Sequence, residues 1–194
     1  MEEIAQSKNI IADTKKYILN TARHLFSEHS YLGVSMSDIA KKINITKAAL
    51  YYHFTGKAEI YRKVIDEVFE DFKRILTEAL NEKTLNKQIF RLIRNYLYFG
   101  SREKNFIIPL LTKFLPNDPK IKESFIRHRK EIDSLIQPLV RKLLESKNLS
   151  KKVDTALMTS LFTGMMDGLL LEYSFLNKEI NSGELANQII IALF

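Results

Sequence analysis

The sequence predicts an all-α protein. Glycine and proline are scarce, six and four among 194 residues, so long runs pass without a breaker. Alternation of β-branched and polar residues is nearly absent, while apolar residues recur at three- and four-residue spacing through most of the chain. A hydrophobic share of 45% against 27% charged is that of a globular chain able to bury a core.

Each element follows from a local signal. Ile11, Ile18, Ala22, Leu25 and Phe26 form one stripe and predict a first helix over about 10–29. The stretch "SYLGV" interrupts it, with Gly33 as the breaker. Ser35, followed three residues on by Asp38, is a capping box that opens a short helix whose Ile39, Ala40 and Ile43 point one way. Asn44 suits the left-handed position that ends such a helix, and Thr46 caps the next, which reaches about His53. After "FTGK" a long helix runs from Lys57 to about Glu82, with Ile60, Val64, Val68, Phe72, Ile75 and Leu76 on its inner face.

Further helices are expected near 85–100, 103–115, 119–146, 150–177 and 183–193, about nine in total. Gly100, Pro109, Pro116, Pro119 and "NSG" at 181–183 mark breaks, and Pro138 is expected to kink or split its segment. This organisation predicts a helix-turn-helix domain over 1–56 and a larger helical bundle over 57–194.

Composition narrows the function classes. The net charge of +7 suits an anionic partner, but the surplus is +2 in residues 1–60 and +5 beyond, so it is not gathered near any one motif. No cysteine is present, which excludes disulfide and thiolate chemistry. The opening "MEEIAQSKNI" lacks an apolar core, so no secretory signal is expected. The most apolar helix-length stretch, "ALMTSLFTGMMDGLLL" at 156–171, carries Asp167 and is too short to span a bilayer, so no membrane partner and a cytoplasmic location are expected. Phosphate-binding loops, nucleophile elbows and zinc-protease motifs are missing, and the histidines at 24, 29, 53 and 128 lack metal-ligand spacing. The chain is therefore read as no enzyme, with no metal and no cofactor.

The informative stretch is "INITKAALYYHF" at 43–54. Two short helices joined through "KINIT" fit a helix-turn-helix. On a wheel of residues 46–53, Leu50 faces the core with Thr46 and Ala49 beside it. Ala48, Tyr51 and Tyr52 cluster opposite, flanked by Lys47 and, past the far edge, His53. Such a face suits DNA. The helix N-terminus attracts phosphate, and Lys47 can reach a phosphate or the acceptors of guanine. Ala48 is small enough for close approach, and each tyrosine offers a ring and a hydroxyl. The competing reading packs the tyrosines against neighbouring helices of a plain bundle.

The run "FSEHSYLGVSMSDIAKKINITKAALYYHFTGKAEIYRKVI" resembles the DNA-binding signature of TetR-like transcriptional regulators. The matching positions are Tyr31, Ser35, Ile39, Ala40, Ile45, Thr46, Leu50, Tyr51, His53, Phe54 and Lys57. The resemblance implies phosphate contacts from Ser35, Thr46, Tyr52, His53 and Lys57, with Lys47, Ala48 and Tyr51 nearest the bases. Three positions depart from the usual pattern: Ser30, Asn44 and Ala48 stand where glycine is common. Asparagine tolerates a left-handed backbone, so Asn44 is a mild change, whereas Ala48 adds a methyl at the groove.

For the rest of the chain the resemblance implies dimerisation and small-molecule sensing. "GMMDG" sets Gly164 and Gly168 on one helix face, where another backbone could come close. Leu161, Gly164, Met165 and Gly168, with Leu185, Ile189 and Leu193 from the final helix, are the expected dimer interface; part of each stripe also faces its own core. Phe99, Phe106, Leu110, Phe114, Phe125, Met158, Phe162 and Met166 are apolar residues of helices that would surround an effector, though each also reads as plain core. Arg129 is the polar member of that expected pocket, with His128, Asp167, Glu172 and Tyr173 as further polar candidates. His128, inside "RHRKE", reads equally as an exposed surface histidine.

The function expected from the whole is a ligand-responsive homodimeric regulator, read first as a repressor. It would bind a palindromic double-stranded operator in the major groove and be released by an apolar or amphipathic effector. A helical adaptor that binds protein partners without DNA is the alternative.

Overall fold

The computed structural model describes residues 2–112 and 118–193, with the side chains of residues 13–112 and 118–192. Among the described residues there are nine α-helices and no strand. They are α1 (Glu2–His29), α2 (Met36–Lys42), α3 (Lys47–His53), α4 (Lys57–Leu80), α5 (Leu85–Arg102), α6 (Lys104–Leu111), α7 (Pro119–Ser146), α8 (Thr155–Phe175) and α9 (Ser182–Leu193). The chain divides into two compact units. One comprises Met1–Glu67 with Leu115–Ser124, the other Val68–Phe114 with Phe125–Phe194.

In the first unit the predicted stripes converge on one core. Ile18, Ala22 and Phe26 of α1, Ile39 and Ala40 of α2, Leu50 of α3, and Ile60 and Val64 of α4 are all buried. Phe26 meets Tyr61 edge-on with ring centroids 5.1 Å apart, and Tyr31 lies 4.7 Å from Tyr61. Burial, and then the neighbouring Tyr31, push the Tyr61 phenol up to about 12. Gly33 is needed for space, since a Cβ there would collide with the His29 carbonyl oxygen.

The short helices are defined by their ends. Ser35 Oγ accepts from the Asp38 amide at 3.1 Å while the Ser35 amide donates to Asp38 Oδ2 at 2.8 Å, closing the predicted capping box. At the other end of α2, Asn44 adopts φ 60°, and the amides of Asn44 and Ile45 donate to Lys41 O and Ala40 O. That is the left-handed ending expected of Asn44.

In the second unit α5 presents one apolar face, with Ile89, Leu92, Ile93, Tyr96, Leu97 and Phe99 buried. It packs against α8 and α9, and α6 packs against α8. Gly100 makes the first contact possible, because a Cβ there would run into the Leu170 side chain. Two expectations change here. α7 runs unbroken through Pro138, so the split that was one of the two expectations there does not occur. α8 begins at Thr155 rather than near 150, because Asp154 caps it by accepting from the Leu157 amide at 2.7 Å. The expected end of the sixth helix near 115 lies outside the described residues.

Candidate functional site

α3 is two turns long, and its orientation is set by one side chain. Leu50 is 0% exposed, Tyr51 48% and Tyr52 77%, so the apolar anchor and the phenols lie on opposite sides. Thr46 Oγ1 accepts from the Ala49 amide at 3.0 Å and fixes the helix start. Lys47 and Ala48 are exposed on the same open side as the tyrosines. The Lys47 ammonium lies 6.0 Å from the Tyr51 ring centroid, and the rings of Tyr52 and His53 meet edge-on at 5.2 Å. Lys47, Ala48, Tyr51 and Tyr52 are thus brought together as one surface. It joins an ammonium, a space for close approach and two phenols beside a helix N-terminus.

The other residues expected at phosphates are more occupied. The Ser35 hydroxyl donates to Asp38 Oδ2 at 2.6 Å as well as capping α2. The Ser35 hydroxyl, then the Ser35 amide, hold the Asp38 carboxyl below its ordinary range. Lys57 donates to the Tyr31 carbonyl at 2.9 Å and stands 4.1 Å from the Tyr31 ring centroid, so its ammonium braces the loop before α2. Partial burial lowers its pKa. His53 is half-buried, and its Nδ1 is buried without a hydrogen-bond partner among the described residues.

The second unit holds a narrow aromatic cavity with about 290 Å³ of unfilled space, counting what is open to solvent. Phe72 and Phe99 stack in its wall at 4.7 Å, and Tyr96 meets Phe72 edge-on at 4.9 Å. Its polar groups are bound to one another. Arg129 Nη1 pairs with Asp167 Oδ2 at 2.7 Å and donates to the Tyr96 hydroxyl at 2.9 Å, while that hydroxyl donates to Asp167 Oδ1 at 2.7 Å. Burial raises the pKa of Asp167 and that of Tyr96, against the lowering influence of Arg129.

Of the residues expected around an effector, Phe99, Phe125 and Arg129 line this cavity. Phe106, Leu110 and Met166 are buried core residues away from its wall, and Met158 and Phe162 are half-buried elsewhere. None of those five lines this cavity, and Phe114 lies outside the described residues. Phe69, Phe72, Tyr96 and Leu170 were missed as lining residues. The only sequence cue was Asp167, which interrupts an apolar run.

Residues 18–64 match the family model described as bacterial regulatory proteins, tetR family. Over this helix-turn-helix stretch the chain is similar to the tetR family. Among curated relatives, the negative transcriptional regulator IcaR of the biofilm operon icaADBC from Staphylococcus epidermidis is 48% identical over 58 residues. That match covers 30% of this chain and only 31% of IcaR. Among solved structures, the regulator FadR from Bacillus subtilis in complex with stearoyl-CoA superposes with a TM-score of 0.72 at 14% identity, covering 89% of this chain and 93% of that one. AibR in complex with isovaleryl coenzyme A and operator DNA gives 0.70 at 20% identity, covering 93% and 97%. At such identities the structural likeness carries the fold. The matched relatives are regulators rather than enzymes.

In the second unit the outer face of α8 is apolar and open. Leu157, Leu161, Gly164 and Gly168 are exposed at four-, three- and four-residue steps, and a Cβ at either glycine would meet nothing within 4 Å. Met165 and Leu185 are half-buried at the margin. Ile189 is the correction: it is buried in the chain's own core because the inner face of α9 packs against α5. Ile191, on the open face of α9, is exposed instead, and the side chain of Leu193 lies outside the described residues.

His128, read as either a polar pocket candidate or an exposed surface histidine, is not on the surface. It is 2% exposed, stacks on Phe69 at 4.8 Å, and has Nδ1 3.3 Å from Glu131 Oε2. Glu70, His128 and Glu131 bring possible ligand atoms within 4.8 Å of one another. The Lys73 ammonium already bridges the two carboxylates, 2.7 Å from Glu70 Oε1 and 2.6 Å from Glu131 Oε2. A cation entering there would have to displace it.

Proposed function

We propose that this chain is a ligand-responsive homodimeric repressor that binds a palindromic operator through α3. The observation that carries the reading is the division of α3 into a buried Leu50 and an exposed face of Lys47, Ala48, Tyr51 and Tyr52. A helix of this width enters the major groove, where Lys47 reaches guanine acceptors and the tyrosine hydroxyls reach phosphates. Ser35, Thr46 and His53 flank that face as candidate phosphate contacts. A single helix-turn-helix reads few base pairs, so two copies are needed, with half-sites about 34–36 Å apart.

The open face of α8 is the proposed meeting surface of the two copies, through Leu161, Gly164 and Gly168 with Leu157. Repression is favoured by the likeness to IcaR, a negative regulator. Effector control is favoured by the aromatic cavity and by the stearoyl-CoA and isovaleryl coenzyme A held by FadR and AibR. An apolar or amphipathic effector in that cavity would bias α4, one continuous helix whose first residues belong to the α3 unit. The ligand-bound arrangement then fits the operator less well, and linkage makes the effect reciprocal.

The test is fluorescence anisotropy with duplexes tiled across the promoter of the chain's own gene. Binding at one palindrome, falling steeply with salt as counterions are released, is the expected result. Salt-insensitive behaviour with no bound duplex would leave the helical-adaptor reading instead.

A further inference from the structure

We infer that the second unit takes an apolar-tailed anion in two adjoining chambers parted by Leu170, with the tail among the aromatic rings and the head over Lys104 and Lys178. This deepens the reading of the chain as effector-controlled and rests on it.

Beside the aromatic cavity lies a second, wider recess of about 1030 Å³, also counting open solvent. Among the described residues, only Gly100 and Leu170 line both spaces. Leu170 is buried and lies flat against α5 at the place where Gly100 carries no side chain. A leucine can change rotamer once its neighbours give way, and Leu170 is the side chain common to both chambers.

The two spaces differ in what they offer. The inner one has aromatic walls, and its polar groups are already satisfied: both Asp167 oxygens accept bonds, and Arg129 and Tyr96 donate them. A charged head placed there would have to break a buried ion pair, which is strongly unfavourable. An alkyl tail needs only that the rings part.

The outer space is polar and carries a positive surplus. Lys104 and Lys178 face it with one carboxylate, Glu179, and neither lysine forms an ion pair among the described residues. Ser101, Ser174 and Asn177 add hydrogen-bonding groups. The carbonyls of Tyr173 and Ser174 that end α8 accept from the Lys178 and Asn177 amides, so they do not repel an anion as bare acceptors would. Tail inside and anion outside is the one orientation both chambers accept.

Isothermal titration calorimetry on the protein without DNA, with three probes of equal tail length, tests this. Octanoyl-CoA and octanoate supply a phosphate-bearing and a carboxylate head, and octyltrimethylammonium a cationic one. Binding of at least one anion and none of the cation is expected; the stronger anion identifies the head group. Lys104→Glu with Lys178→Glu, both at exposed positions, should weaken that anion about ten-fold at low salt. Leu170→Ala should speed its association.

An unchanged affinity in the charge-reversed protein overturns the proposal, as does equal binding of the cation, or no binding of either anion to a folded wild type. Because this readout contains no DNA, its failure leaves the duplex titration of the wild type standing, and failure of that titration leaves this one standing.

Discussion

Asn44, Asn148 and Asn177 adopt φ of 60°, 57° and 50°, and each closes a helix in the same way. The amide of the asparagine and that of the next residue donate back into the last turn of α2, α7 and α8 respectively, to Lys41 and Ala40, Glu145 and Leu144, and Ser174 and Tyr173. Asparagine holds this conformation without the backbone entropy that glycine would lose. Asn148→Ala should therefore lower stability by about 1 kcal/mol in urea unfolding, while Asn148→Gly stays close to wild type.

At the α3 surface, Tyr52→Ala should weaken all duplexes alike, as loss of a phosphate contact does. Lys47→Ala should also change the preferred base, by about 1–3 kcal/mol per good base contact. Competition between single-base operator variants separates the two outcomes, and a uniform loss for Lys47→Ala would move that residue to the backbone. Ser35, Asn44 and Thr46 were legible because caps are local chemistry. The bracing of Tyr31 by Lys57 was not, since it joins residues 26 positions apart.

At the scale of the element, α3 and α2 are each seven residues long, too short to persist alone. Packing and caps hold them. Leu50→Ala should destabilise the protein by about 2–5 kcal/mol, because the cavity it leaves lies at the centre of the first unit. Calorimetric melting checks this, with loss of duplex binding expected before global unfolding.

The capping box of α2 carries a pH signature. The folded Asp38 pKa is depressed, so its stabilisation is complete above the unfolded value of about 3.9 and disappears as pH falls through the lower folded value. Melting temperatures measured below about pH 4 should fall less steeply for Asp38→Asn than for wild type.

Most helix positions were readable, since apolar spacing and caps are properties of neighbours in sequence, though α1 starts earlier and α8 later than expected. α7 resisted that reading at two points. Pro138 sits inside the helix, and His128, in a charged run, is drawn in by the Phe69 ring and Glu131. The burial of His128 is a tertiary effect. The same holds for the Tyr96–Arg129–Asp167 cluster, whose members come from three separate helices.

At the scale of the molecule, the open stripe on α8 exposes Leu157 and Leu161 beside two glycines. Leu161→Glu would place a carboxylate where the partner copy is proposed to pack. Sedimentation velocity should give a dimer for the wild type at micromolar concentration and a monomer for this variant, with unchanged helicity by circular dichroism. Operator affinity should fall with the dimer, because each half-site then binds alone. The face was legible in the sequence through the two glycines of "GMMDG", and so was its sharing with the core, but not which residues turn inward. Ile189 turned inward because α9 packs against α5, a pairing that spacing alone does not specify.

The central claim is that α3 carries its phenols outward in order to hold a duplex. Its most direct test is an anisotropy titration of the promoter palindrome with wild type and with Tyr51→Ala/Tyr52→Ala, at two salt concentrations. Both rings are exposed, so the variant should melt at the wild-type temperature. The account predicts tight, salt-sensitive binding by the wild type and a loss of at least about ten-fold in the folded variant. A variant that binds the palindrome as tightly as wild type would contradict it.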